Sequence, residues 1–102
     1  GLPVITRLGW HFASRVSASA LKAAGLPELM TESWRAFVAL GMQHADDRSL
    51  LASYRNWLAD GRKLAPLFDT ARSARAMEHG FEEMWRRYLD GTAPARIDIP
   101  DR

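Results

Sequence analysis

The sequence predicts a mainly α chain: one short N-terminal strand, then about four helices, together forming the end of a larger α/β lobe. Three observations lead there. A β-branched run at Val4, Ile5 and Thr6 is followed by Gly9 and then at once by helical periodicity. Beyond it, apolar residues recur at three- and four-residue steps almost to the end of the chain. No second run has good strand character, and a lone parallel-type strand needs neighbours that these residues do not offer.

The strand is expected at Pro3, Val4, Ile5 and Thr6, with a tight turn at Gly9, where glycine allows a backbone that other residues resist. From about Phe12 a first helix places Phe12, Val16, Ala20, Leu21 and Ala24 on one face. Gly25 should stop it, with Pro27 just beyond. A second helix is expected from a Thr31 N-cap, with Trp34, Phe37, Val38 and Gly41 sharing a face. Asp46 or Asp47 should cap a third, turning Leu50, Leu51, Tyr54, Trp57 and Leu58 inward until Gly61. After a connector containing Pro66, Asp69 or Thr70 caps the longest helix, over about 70–90. Its apolar face is Ala74, Met77, Phe81, Met84, Trp85 and Tyr88, and Gly91 ends it. Glu82 with Arg86, and Glu83 with Arg87, have the acid-before-base spacing that supports a helix surface. Residues 1–91 thus read as one structural piece and 92–102, with two prolines, as a flexible tail.

Composition narrows the function. The 102 residues allow one small domain at most. Fourteen basic and 12 acidic residues leave a net charge of +2, with the signs interleaved, so no basic face for nucleic acid is expected. The chain has no cysteine, which excludes disulfides and thiolate metal sites and fits a reducing, cytoplasmic setting. No apolar run approaches the ~20 residues of a membrane span, and no membrane partner is expected. His11, His44 and His79 lie far apart without helical metal spacing, so no metal site is expected. Neither Asp46–Asp47 nor Glu82–Glu83 has the cleft setting of an acid/base couple, and no catalytic residue is assigned. Trp34, Trp57 and Trp85 fall on apolar faces, where core packing is the default.

One stretch stands apart. The chain from Gly9 to Arg15 enters a helix from a strand and a glycine turn, and such a helix start presents backbone N–H groups that suit phosphate. Gly9, His11 and Arg15 are the candidate anion-binding residues. The bland readings are that His11 covers the helix start and that Arg15 bonds within its own lobe.

The run Phe12-Ala-Ser-Arg-Val-Ser-Ala-Ser19 with its preceding strand, the motif Ala65-Pro-Leu-Phe-Asp-Thr70, and Met84-Trp85 agree in order and spacing with a known family. Together they resemble the late strand–turn–helix and closing helices of O-linked N-acetylglucosamine transferases of the bacterial SPINDLY type, glycosyltransferase family 41. The resemblance implies a GT-B fold of two Rossmann-like lobes, with this chain as the C-terminal part of the donor-binding lobe. It implies transfer of N-acetylglucosamine from a UDP-sugar donor to Ser or Thr of an acceptor protein, no separate cofactor, and tetratricopeptide repeats upstream. It makes Gly9, His11 and Arg15 donor-binding candidates. Only the glycine matches the family's usual turn, and the family's His-Thr-Thr motif lies upstream of Gly1. The chain alone is therefore expected to be inactive. The rival reading is a free-standing helical interaction module that self-associates through Val4, Ile5, Val16 and Leu21.

Overall fold

The computed structural model describes residues 1–100. It is mainly helical, with four α-helices and one pair of very short strands. The chain forms two compact units, one spanning Gly1–Phe68 and the other starting at Asp69.

The first unit begins with β1 (Thr6–Arg7), α1 (Ala13–Ala23) and β2 (Met30–Thr31). The strands are parallel, with Thr6 opposite Met30 and Arg7 opposite Thr31. The expected lone strand therefore has a neighbour inside the chain, and α1 is the crossover that parallel pairing requires. The neighbour has only two residues and follows directly on a 3-10 turn at Pro27–Leu29, so no β-prone run announces it. The first strand also sits later than expected, because Thr6 and Arg7, not Pro3–Ile5, meet the partner.

Thr31 does not cap a helix. Its hydroxyl donates to the Thr6 carbonyl at 2.9 Å, and its own carbonyl accepts from the Leu8 N–H at 2.7 Å. Ser33 takes the cap of α2 (Trp34–Asp46), its hydroxyl accepting from the Ala36 N–H at 3.1 Å. At the end of α1, the Gly25 N–H bonds the Lys22 carbonyl and the Leu26 N–H bonds the Leu21 carbonyl. This is a Schellman closure, and Gly25 meets its left-handed requirement with φ of 77°.

Asp47 caps α3 (Arg48–Ala59), accepting from the backbone N–H groups of Ser49 and Leu50, both at 3.0 Å, and from the Ser49 hydroxyl. The Leu50 N–H, then the Ser49 hydroxyl, hold its carboxyl below the usual range. A carboxyl held low in the fold adds stability above the unfolded-state value of about 4, and that stability is lost as pH falls through the lower folded value. Urea midpoints measured between pH 6 and 3 should fall at the acid end, and Asp47→Asn should flatten part of that fall.

Leu29 is the centre of this unit, with no exposed surface. Ala18, Ala24, Leu26 and Ala65 are buried with it. The inward face of α2 is Phe37, Leu40 and His44. Trp34, at 65% exposed, and Val38 point outward, against the expected face. The reason for Trp34 lies in β1: the Arg7 guanidinium stands over its ring, 4.9 Å from the centroid. His44 is buried, donates from Nδ1 to the Leu40 carbonyl at 2.8 Å, and stacks on Tyr54 at 5.1 Å. Burial, then the charge of Glu28 beside it, push the Tyr54 phenol up. Along α3, Leu50, Leu51, Tyr54, Trp57 and Leu58 are half-buried, as their spacing predicts.

The second unit is α4 (Thr70–Leu89), capped by Asp69, whose carboxylate accepts from the Arg72 N–H at 2.8 Å. Its surface pairing differs from expectation. Glu83, not Glu82, pairs with Arg86, at 2.7 Å, while the expected Glu83–Arg87 pair stands at 2.9 Å. One carboxylate serves both arginines because 83 lies a turn before each, and Arg86 also reaches Asp90 at 3.5 Å. The apolar face of α4 is exposed, Trp85 included, so the expected core role of Trp85 is not met among the described residues. Residues 92–100 form neither helix nor strand, and Ile99 lies against Gly80. The last two residues of the expected tail fall outside the described residues.

Candidate functional site

The candidate site is the turn between β1 and α1. Its sequence composition already favours an anion. Arg7, Arg15 and Lys22 are the charged side chains of residues 1–27, and the first acidic residue is Glu28. The strand delivers the chain to this turn, and the Leu8 N–H anchors it on β2 through the Thr31 carbonyl.

Gly9 is required by space. Its φ is not positive, since Gly25 and Gly91 alone among the described residues have that property. A Cβ at Gly9 would stand 2.7 Å from the Ser14 Cβ, a distance that real side chains do not tolerate. The expected conformational reason is thus replaced by a steric one. The Gly9 carbonyl accepts from Arg15 Nη1 at 3.1 Å, which brings two of the three candidate residues together. His11 joins them through its backbone: its carbonyl accepts from the Ser14 N–H at 3.1 Å and the Ser14 hydroxyl at 2.8 Å. Its imidazole is exposed.

The helix start is less open than the sequence suggests. Phe12 occupies the cap position without a side-chain cap, and the Arg15 N–H bonds the Phe12 carbonyl at 3.0 Å. Two N–H groups of the first turn, those of Ser14 and Arg15, are therefore engaged inside the turn. The arrangement can offer an anion the exposed guanidinium of Arg15 and the exposed imidazole of His11 beside a hydrogen-bonded backbone turn.

Two neighbours of the site, Trp10 and Arg7, were given no role by the sequence, and Trp10 is 94% exposed. Phe12 and Val16, expected on the apolar face of the first helix, are exposed as well, so that face is buried only from Ala18 onward. Arg7, over Trp34, carries a buried Nε with no partner among the described residues. The signal for Arg7 was its place two residues before Gly9, in the strand that feeds the turn. The turn also opens onto a shallow apolar groove lined by Phe12, Val16, Ala20, Ala23 and Leu67. Two separate sequence motifs meet there, Phe12–Ser19 and Ala65–Thr70. Among the described residues no three His, Cys, Asp or Glu side chains gather in a way that could hold a metal ion.

A strand, a crossover helix and a parallel strand around a basic, glycine-tightened turn form a βαβ corner, the connection that parallel pairing requires. The family model of Glycosyl transferase family 41 matches residues 1–77, and the chain belongs to that family. It is 35% identical over 101 residues, 97% of its length, to the probable UDP-N-acetylglucosamine–peptide N-acetylglucosaminyltransferase SPINDLY of Oryza sativa subsp. japonica. Identity to the protein of the same name from Petunia hybrida is 35% over 95 residues. Identity to the UDP-N-acetylglucosamine–peptide N-acetylglucosaminyltransferase of Caenorhabditis elegans is 33% over 91 residues, 89% of this chain. The chain spans about a tenth of these relatives: 11% of the rice protein, 10% of the petunia protein and 8% of the nematode protein. No solved structure matches it. No helix among the described residues is long and apolar enough to cross a membrane.

Proposed function

We propose that this chain is the C-terminal part of the donor-binding lobe of a GT-B protein O-GlcNAc transferase. The parent would transfer N-acetylglucosamine from a UDP donor to Ser or Thr of acceptor proteins in the cytoplasm, with tetratricopeptide repeats upstream. The observation that carries this reading is the match of nearly the whole chain to SPINDLY proteins, with the family model covering residues 1–77.

In this reading the β1–α1 turn faces the donor. Arg15 and His11 would supply positive charge and hydrogen-bond donors toward the diphosphate, and Gly9 would hold the loop close to α1. Such groups stabilise charge only as part of a set placed on several loops. The segment by itself is structural and inactive, and it needs no cofactor of its own.

The test is an amide correlation NMR titration of the 102-residue chain with UDP. Shifts confined to residues 6–15 at millimolar UDP, abolished by Arg15→Ala, are the expected result. A dispersed spectrum that UDP leaves unmoved would remove Gly9, His11 and Arg15 from the donor site.

A further inference from the structure

We propose that residues 92–99 form a strap hinged at Gly91 and seated along α4, with every second residue meeting the next turn of the helix. Strap and helix both belong to the second unit, independently of any catalytic role for the first.

The reversal starts at Gly91. This residue closes α4 with φ of 67°, its N–H bonding the Tyr88 carbonyl at 3.1 Å while the Thr92 N–H bonds the Arg87 carbonyl at 2.9 Å. A left-handed residue turns the chain sharply out of the helix. Because Ile99 lies against Gly80, the segment beyond the turn runs back toward the start of α4. Pro94 and Pro100 each hold the residue before them extended, which lowers the entropy lost on docking.

Alternation then sorts the side chains. Ile97 and Ile99 are half-buried, whereas Arg96 and Asp98 are exposed and pair with each other at 2.6 Å. Residues two apart share a side in extended chain, so one side of the segment meets α4 and the other meets water. Ala95 and Ile97 line one hollow with Met84 and Tyr88, and Ile99 lines a second with Ala76 and His79. The helix answers in kind. His79, Gly80, Glu83 and Arg87 are half-buried on the side of the strap, while Phe81 and Trp85 on the apolar face stay exposed.

Spacing fits the two elements together. Two residues of extended chain advance about 6.6 Å, and four residues of helix advance about 6 Å. Steps from Ala95 to Ile97 to Ile99 therefore keep pace with Tyr88, Met84 and Gly80. Gly80 is the seat of the last anchor. A Cβ there would stand 3.8 Å from Ile99 Cγ1, an ordinary contact, so alanine fits and a branched side chain would meet Ile99. Among the described residues the second unit holds no other element and no buried residue, so the strap is the packing that α4 finds within it. Release of the strap bares Gly80 and Met84.

Backbone amide NMR relaxation on the 102-residue chain tests this. Order parameters of residues 95–99 should match those of α4, about 0.85, in the wild type and in Gly80→Ala, and fall below roughly 0.6 in Ile97→Asp/Ile99→Asp and in Gly80→Leu. Gly80→Leu separates docking from helix stability, because it favours the helix while blocking the seat. Circular dichroism checks the helix in each variant, and if the double variant has lost it, Gly80→Leu alone decides. Order parameters below roughly 0.6 for residues 95–99 in the wild type overturn the proposal, since the segment is then a free tail. So does order that survives in Gly80→Leu, since the seat on α4 would then not be what holds the strap.

Discussion

Leu29→Ala is expected to lower the unfolding free energy of the 1–68 unit by about 3 kcal/mol. Leu29 is the one large side chain among the described residues with no exposed surface. It lies at the end of the 3-10 turn that leads into β2, so its loss leaves a cavity where the two strands meet the helices. The other buried apolar residues are three alanines, too short to fill that space, and Leu26, which occupies its own place. A unit of this size has a total stability of roughly 3–10 kcal/mol. The variant should therefore unfold at a much lower urea concentration, or be unfolded without denaturant. Urea denaturation followed by circular dichroism measures the change. A loss under about 1 kcal/mol would mean that the unit repacks around the gap.

Trp57→Ala should have the second-largest effect, about 2–3 kcal/mol, below the fully buried case because Trp57 is only partly buried. Its indole N–H donates to the Ala24 carbonyl at 2.9 Å, tying α3 to the end of α1. Its ring also fills the space beside two glycines. A Cβ at Gly25 would lie 3.1 Å from the ring, and one at Gly61 would lie 2.7 Å from Cζ3. The side chain thus joins three points far apart in sequence. Trp57→Phe keeps most of the contact and leaves the Ala24 carbonyl without its donor, so it should cost about 1 kcal/mol. Differential scanning calorimetry on both variants would separate packing from the hydrogen bond. Equal losses would assign the whole effect to the indole N–H.

Helix placement was legible because caps and stops are local. Gly25 and Gly91 stand at the helix ends that their neighbours predict, and of the open cap choices, Asp46 or Asp47 and Asp69 or Thr70, it is Asp47 and Asp69 that cap. The second strand was illegible because two residues carry no periodicity. Met30 and Thr31 become a strand only through the Thr6 carbonyl and the Leu8 N–H, both supplied from more than twenty positions away. Helix faces fell between these cases. In α3 the apolar spacing and burial agree. In α2 the cation–π contact from Arg7 holds Trp34 at the surface, a tertiary effect that no helical wheel contains.

The candidate site was legible as a stretch and less so as chemistry. Gly9 stands out in sequence as the glycine of a strand-to-helix turn. Its actual role, leaving room for Ser14, depends on a fold-back that spacing alone does not show. Arg15 reads as a free cation until the Gly9 carbonyl is seen at its Nη1.

The clamp between Thr6 and Thr31 also bears on the order in which the chain folds. The contact joins positions 25 apart. Eleven of the intervening residues lie in α1, too few for a helix to be stable by itself in water. Helix formation shortens the span that strand pairing must close. Pairing in turn holds both ends of the helix, so the strands and α1 stabilise one another, and the turn that carries Gly9 and Arg15 is fixed only when both are in place.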